Sequence, residues 1–531
     1  MARARASGEE AERGCTLAVR EEGRGSATGR TFDNSLIIGL DMAVTLLATM
    51  CYSIPVARVI GPEKLGYFSV IWFWALVGGN VASLGIPGAT RRYMAEALGR
   101  NDLPVARGIF QATLKLQSLL ALGVLIIGEV LIFTVTERSY WSSSWLLVLC
   151  LAPRLLSLIP GMALLAGERL KQNLTATAAN CVAMIAVLWF GLWSGWGLVA
   201  AAAAYAVSYT VDLIIKLTFA LNWLKWGPRA PIEAGLQRRM LSFSGKSTIL
   251  MLLGFVVWDK SDIFLLKMLD KDPKAWSFFT TAFAFAEKVI WIVSVFGGSI
   301  SVALYGEIGR SVEKLNQTAA VGLRYCLLLA SVLLFGLAAV APWLVVTLYG
   351  NAYAPAGPIL AVAALLAAGK CVMPVVGTVF AAAERQGAVA IVVLCCGIVD
   401  VVLDLLLIPR WGALGAALAN GIAQTLAAAV MIWWAGRSCG VQWKTRELLP
   451  GAAAGLGIGL TAWLAGMGLP TPALRLTVGV AAGAIACPIL FRLLRVFGSE
   501  DSYRLNELVG KTPQWVRSCL NPVLQFVAAR G

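Results

Sequence analysis

Histidine is missing from the whole chain of 531 residues. Without an imidazole, chemistry that relies on a histidine base, proton shuttle or metal ligand is excluded. Charge is scarce as well. Asp, Glu, Lys and Arg make up 14% of the chain, against about 25% in soluble domains. So few charges do not cover a water-soluble body of this size, which excludes a cytosolic enzyme, a disordered scaffold and a secreted disulfide module. The 11 cysteines include no C-x-x-C pair, and most lie in apolar runs, among them Cys150, Cys326, Cys371 and Cys396. They read as small buried apolar residues.

What is present in abundance is apolar: 59% of the residues. A membrane span takes about 20 mostly apolar residues. Breaks at charges, Gly/Pro and Trp clusters predict fourteen spans, near 36–54, 68–89, 110–135, 144–166, 174–193, 198–222, 247–266, 277–304, 321–347, 356–382, 387–408, 412–434, 448–468 and 473–491. Tryptophans stand at many span ends, as an aromatic belt requires: Trp141, Trp196, Trp226, Trp276, Trp343, Trp411 and Trp434. The N-terminal segment up to Asp33 carries six Arg and five Glu. No short apolar core follows its first basic residues, so this is not a signal peptide.

Orientation follows from the basic residues alone. With the N-terminus inside, thirty of the 44 Lys and Arg lie on the inner side, eight outside and six within spans. The expectation is a cell (cytoplasmic, inner) membrane protein with both ends inside. The net charge of +15 is then mostly a topology signal and calls for no nucleic-acid partner.

The chain also matches itself, its second half against its first. Gly167-Glu168-Arg169 corresponds to Ala383-Glu384-Arg385, the run from Gly195 to the run from Arg410, Tyr93–Arg100 to Leu304–Arg310, and Tyr140 to Tyr353. Six spans per repeat is an even number, so the halves insert with the same orientation, as parallel repeats. The expected fold is all-α and polytopic: two parallel six-helix repeats around a central cleft, plus two extra C-terminal helices. The expected organisation is a disordered cytosolic tail (1–33), the first bundle (34–226), a cytosolic linker (227–246), the second bundle (247–437), two additional membrane helices (438–495) and a cytosolic tail (496–531). In that last tail Trp515, Cys519, Pro522 and Phe526 have the spacing of an interfacial helix; a plain soluble tail is the alternative.

Ionisable groups inside a span are costly and usually face an interior cavity. The repeat singles out Arg154 and Lys370. Arg154 precedes Glu168 by the same interval that separates Lys370 from the matching Glu384. At 1.5 Å per residue that interval is about 21 Å, near or past the midplane of a ~30 Å core. Two such cations facing a cleft suit an anionic phosphate or pyrophosphate head group; pairing of each with a carboxylate of its own bundle is the alternative. Arg58 and Lys64 stand beyond the first span, and Arg91 and Arg92 beyond the second. They are either part of the same cationic site or interfacial and topogenic.

Among acids, Asp259 and Asp262 share a helix face at i, i+3. With Glu287 and Asp41 they are the candidate coupling and translocation carboxylates; mutual neutralisation is the other reading. Asp400 and Asp404 share a face at i, i+4 and read as water-exposed acids near the outer end of their span. Asp212 and Lys216 read as a self-satisfied pair. Ser244–Thr248 resembles the end of a P-loop, but Met240 stands where the first glycine belongs and no strand precedes it. Gly451, Gly455 and Gly459 form a small-residue stripe for close helix packing rather than a dinucleotide site.

The combined pattern resembles a known family. Arg58-x-x-Gly61-Pro62-Glu63-x-x-Gly66-Tyr67-Phe68, then Leu84-Gly85 with Arg92-Tyr93, look like the N-terminal signature of Wzx-type polysaccharide flippases, within the superfamily that also holds MurJ-type and MATE transporters. Asp262 with the following Ile-Phe-Leu-Leu, Leu348-Tyr349-Gly350-x-x-Tyr353, and the run from Trp411-Gly412 to Asn420 resemble it too. The resemblance spans about 36–440. It implies a non-enzymatic transporter that moves a lipid-linked oligosaccharide, carried on polyprenyl (pyro)phosphate, from the inner to the outer leaflet by alternating access. No resident cofactor is expected; the intramembrane acids Asp259, Asp262 and Glu287 motivate the hypothesis of coupling to an H⁺ or Na⁺ gradient, and polymerase or chain-length machinery are the expected partners beside the bilayer. A MATE-like exporter of small molecules and a polytopic glycan polymerase or ligase are the alternatives. The former predicts an anionic cleft, the latter a large outer loop with catalytic groups.

Overall fold

The computed structural model describes residues 37, 39–135, 138–225, 230–252, 261–307, 312–383, 385–443, 447–498, 501, 521–522 and 526. Among these every regular element is helical. The order is α1 (Gly39–Ile60), then α2 (Pro62–Ser83), α3 (Ile86–Gly99), α4 (Leu103–Val135), α5 (Trp141–Leu149), α6 (Leu151–Ala166), α7 (Leu170–Trp193), α8 (Leu198–Leu224), α9 (Ala234–Leu252), α10 (Ser261–Leu269), α11 (Pro273–Glu307), α12 (Val312–Tyr349), α13 (Ala356–Leu366), α14 (Ala368–Ala382), α15 (Gln386–Cys439), α16 (Leu448–Met467) and α17 (Pro472–Leu493).

The protein is an all-α polytopic membrane protein. Twelve helices among the described residues are long and apolar enough to cross a membrane. Eleven correspond to one expected span each, and the expected spans 387–408 and 412–434 both lie in α15. The expected span 247–266 is divided between α9, α10 and residues outside the described set; Asp259 is among the latter. So are most of the two tails, including Trp515 and Cys519.

The second span differs from its expected bounds of 68–89. The helix ends at Ser83, Leu84 and Gly85 take positive φ of 44° and 64°, and α3 starts with Pro87 in its first turn. Proline lacks the N–H that a continuing helix would use and favours a helix start.

The chain forms two compact units, Met1–Ser53 with Ala75–Thr248, and Ile54–Trp74 with Ile249–Gly531. In the first, Met94, Ile109, Phe110, Ile159 and Leu224 pack into one core. The Tyr93 hydroxyl donates to the Arg239 carbonyl at 3.2 Å, holding α3 against α9. In the second, Leu323, Cys326, Val375, Phe380 and Met431 are core residues.

The glycine stripe of α16 closes the second unit. A Cβ at Gly455 would lie 2.8 Å from Ser331 atoms, and one at Gly459 2.8 Å from the Phe335 carbonyl oxygen, so α16 meets α12 backbone to backbone. Ser331 Oγ adds a hydrogen bond to the Gly451 carbonyl at 3.1 Å. Lipid is as apolar as leucine, so helices inside it associate through close packing and polar contacts of this kind.

Two features recur in both units. Gly197 has φ 57°, ψ −125°, and Gly412 has φ 53°, ψ −132°. Each follows a tryptophan, and each reaches a backbone conformation open to glycine and costly for other residues. At Gly412 the chain doubles back: a Cβ on Gly415 would lie 2.4 Å from the Leu407 carbonyl oxygen. Two positions so spaced on a straight helix would be about 12 Å apart, so α15 is a helical hairpin. Second, the helices are interrupted at Cys150, between α5 and α6, and at Ala367, between α13 and α14. Arg154 and Lys370 each follow such an interruption by about one helical turn.

Candidate functional site: a buried carboxylate cluster

The α15 hairpin sets the register of the site. With Leu407 against Gly415, Asp404 and Asp400 on the first arm lie level, to about one helical turn, with Asn420 and Gln424 on the second. Helix α10 packs on α15 and brings Asp262 in its first turn. The three carboxylates converge. Taking one oxygen from each of Asp262, Asp400 and Asp404, all lie within 4.8 Å of one another. Their relative exposures are 1%, 3% and 0%.

Asn420 Nδ2 donates to Asp262 Oδ2 at 2.9 Å, and Gln424 Nε2 donates to Asn420 Oδ1 at 2.8 Å. Ser261 Oγ donates to Asp400 Oδ2 at 3.3 Å. That leaves Asp262 Oδ1, Asp400 Oδ1 and both oxygens of Asp404 buried without a hydrogen-bond partner among the described residues. Lys370, on α14, acts electrostatically on Asp262 and Asp400. With Glu287, Asn420 and Gln424 it lines a small adjoining cavity.

Three full negative charges at this separation repel by about 3 kcal/mol per pair even at an effective dielectric of 20. One ammonium does not offset three buried carboxylates. The arrangement favours uptake of a proton or of a hard cation. The donors are oxygen only, with no histidine in the chain, a set suited to an alkali or alkaline-earth ion and unsuited to zinc or copper.

The sequence-predicted residues distribute unevenly over this geometry. Asp262 is central, and Glu287 and Lys370 flank it. Asp400 and Asp404, read from sequence as water-exposed, are buried members of the cluster; the hairpin and α10 cover them. Their i, i+4 spacing without a basic residue nearby was the signal for a shared buried face. Asn420 was legible only as part of the run that begins at Trp411.

Three of the other cations, Arg58, Arg92 and Arg154, have local contacts. The Arg58 guanidinium donates to the Leu348 carbonyl at 2.6 Å, and also to the Thr347 carbonyl, closing the C-terminal end of α12. Such bonds satisfy helix-end carbonyls that have no intrahelical donor. Lys64 and Arg91 are exposed. Arg92 is exposed and stacks 4.9 Å from the Phe243 ring centroid. Arg154, in the other unit from Lys370, is half-buried and lies 5.8 Å from the Tyr209 centroid, with Tyr205 stacked on Tyr209. Asp41 is half-buried in α1, and its Oδ1 has no partner among the described residues. Asp212 and Lys216 form the expected i, i+4 pair at 2.8 Å.

Residues 32–310 match the family model described as "Polysaccharide biosynthesis protein", and residues 281–471 match that of "Lipid II flippase MurJ". No curated protein sequence matches the chain. Among solved structures, the inward closed conformation of the lipid II flippase MurJ superposes with a TM-score of 0.68 at 13% identity, covering 87% of this chain and 99% of that one. An inward-facing multidrug resistance MATE family transporter gives 0.64 at 15%, covering 76% and 98%. A MOP superfamily transporter from Pyrococcus furiosus gives 0.57 at 16%, covering 77% and 95%. At these identities the likeness is one of fold.

Proposed function

The chain belongs to the polysaccharide biosynthesis protein family, and on that premise we propose that it is a flippase for lipid-linked oligosaccharide. It moves polyprenyl-(pyro)phosphate-linked units from the cytoplasmic to the outer leaflet of the cytoplasmic membrane, for cell-surface polysaccharide synthesis. It works by alternating access, with both termini on the cytoplasmic side as the loop charges indicate. Polymerase and chain-length machinery take up the delivered unit. The families matched are of flippase and transporter type, so the chain is not a glycan polymerase or ligase.

The observation that carries the driving force is the Asp262–Asp400–Asp404 cluster. Its buried oxygens, without partners among the described residues, take up H⁺ or Na⁺. Cation binding relieves the mutual repulsion of carboxylates brought together from α10 and α15. The ion thereby favours the conformation in which those helices are closest, and a gradient of the ion biases the transport cycle. Arg154 in the first unit and Lys370 in the second are each assigned to contact with the phosphate-bearing head group, the lipid tail remaining in the bilayer.

The test is flipping of a fluorescent polyprenyl-diphosphate oligosaccharide in reconstituted vesicles with imposed H⁺ or Na⁺ gradients. Acceleration by one gradient supports the coupled reading; indifference to both removes it. A MATE-like exporter remains the second reading, favoured by the MATE folds above. It predicts efflux of small organic cations and no movement of the lipid-linked sugar.

A further inference from the structure

We propose that the first unit binds one anionic phospholipid of the bilayer in a groove at the foot of α4. The groove encloses about 490 Å³, within the size range of small-ligand pockets. Helix α4 contributes Lys115, Leu116 and Leu119, α3 contributes Ala89, and α9 contributes Gln237 and Leu241. Lys115 is the one charged residue in its described lining.

The surroundings identify the occupant. Leu116 and Leu119 begin a stripe of exposed apolar side chains that continues along α4 through Leu122, Ile126, Ile127 and Val130. In a membrane helix such a stripe faces hydrocarbon, so the groove opens onto the acyl chains rather than onto water. Depth then places the charge. Arg107, whose Nε donates to the Leu224 carbonyl at 2.7 Å, marks the basic end of α4, the inner side by the orientation proposed above. Lys115 lies about 12 Å further along the helix. It is exposed, and a lysine at this depth extends its ammonium back toward the level of the lipid phosphates.

An apolar slot with a single ammonium at phosphate depth takes a phospholipid whose net charge is negative. One acyl chain fills the slot against Leu116, Leu119 and Leu241, and the phosphate meets Lys115 Nζ. A zwitterionic lipid supplies the chain but brings its own cation to the same place. Because three helices form the walls, an occupied groove ties α9 to α3 and α4, and lipid composition sets how firmly α9 is held.

The test uses the full-length protein in vesicles of equal phosphatidylglycerol and phosphatidylcholine, with either lipid carrying a photoactivatable acyl chain. The expected result is labelling of α4 and α9 peptides by phosphatidylglycerol in preference to phosphatidylcholine. Lys115→Gln reduces that preference about fivefold, the size expected for one basic side chain at the bilayer surface, and Lys115→Arg retains it. Ala112, on α4, also lines the groove, and Ala112→Trp, which fills the slot, removes labelling by both lipids; a thermal melt reports folding in parallel. Equal labelling by the two lipids, or an unchanged preference in Lys115→Gln, overturns the proposal. So does a third arm in which photoactivatable polyprenyl phosphate labels the groove ahead of phosphatidylglycerol, since the groove would then belong to the substrate's path.

Discussion

Arg324 of α12 and Asp501, beyond α17, form a two-pronged ion pair: Nη2 to Oδ2 at 2.9 Å and Nη1 to Oδ1 at 3.3 Å. The Tyr325 hydroxyl donates to the same carboxylate at 2.5 Å and the Gly498 N–H at 2.8 Å. Arg324 also reaches Glu447 at 3.2 Å, ahead of α16. One guanidinium therefore ties the segments flanking both extra helices to α12.

Asp501→Asn is expected to destabilise the second unit by about 2 kcal/mol, since it removes the charge of a buried carboxylate bonded by Arg324, Tyr325 and Gly498 and leaves Glu447 as the remaining counter-charge of the guanidinium. The effect reads out as a lower melting temperature in detergent. Burial alone would push the Asp501 carboxyl upward. The bonds from Tyr325, Gly498 and Arg324 outweigh it and hold the carboxyl below the usual carboxylate range. A carboxyl depressed in the folded state stabilises at pH above its unfolded value of about 3.9, and the contribution is lost as pH falls through the folded value. The stability difference between the parent and Asp501→Asn should thus be constant from neutrality down to about pH 5 and shrink below about pH 4. A difference that grows on acidification contradicts the assignment.

The carboxylate cluster predicts opposite effects on stability and transport. Asp404→Asn removes one of three mutually repelling charges, so the melting temperature should hold or rise while gradient-driven flipping falls at least tenfold. The same substitution at Asp262 turns the charged acceptor of Asn420 into a neutral amide oxygen, a weaker acceptor, and should cost some stability along with transport. Flipping that survives in Asp404→Asn at the parent rate would place the coupling ion elsewhere.

Arg154 and Lys370 predict a transport defect without a folding defect. Replacing either by Gln, and both together, should leave protein levels normal and accumulate lipid-linked sugar in the cytoplasmic leaflet. Full glycan export by the double variant would remove the head-group role of both residues.

Gly455 predicts a packing defect confined to α16. Gly455→Leu places a side chain where Ser331 atoms lie 2.8 Å from a Cβ position. Overpacking of this kind costs about 1–3 kcal/mol, and a larger side chain that cannot be repacked detaches the helix. Cysteine pairs across α12 and α16 should cross-link in the parent and lose that reaction in the variant.

Legibility differed from residue to residue. The Asp212–Lys216 pair and the α16 stripe were readable because their partners are set by helical spacing alone. Asp262 was readable because an acid inside an apolar span is costly anywhere. Asp400 and Asp404 read as water-exposed in the sequence and are buried in the structure. Position along a span gives depth in the bilayer but says nothing about which side of the helix another helix covers, and here α10 and the second arm of α15 cover it. Arg58 shows the converse: a cation singled out by motif closes the end of α12, at carbonyls of Thr347 and Leu348 that lie far along the chain.

Membrane class, apolar spans, the excess of basic residues on alternate loops and the duplicated pattern are all properties of the unfolded string of residues. Each depends on local composition or on spacing along one helix, and the bilayer's thickness and polarity translate such local quantities directly into structure. Three further relations exist only once the helices are packed. Three aspartates from α10 and α15 share one buried site, Gly412 folds α15 back on itself, and Arg324 ties down the flanks of the extra helices. Those relations depend on which helix faces meet and in what register. Within lipid that is settled by close packing and by the pairing of buried polar groups across the chain, which the order of residues along one helix does not contain.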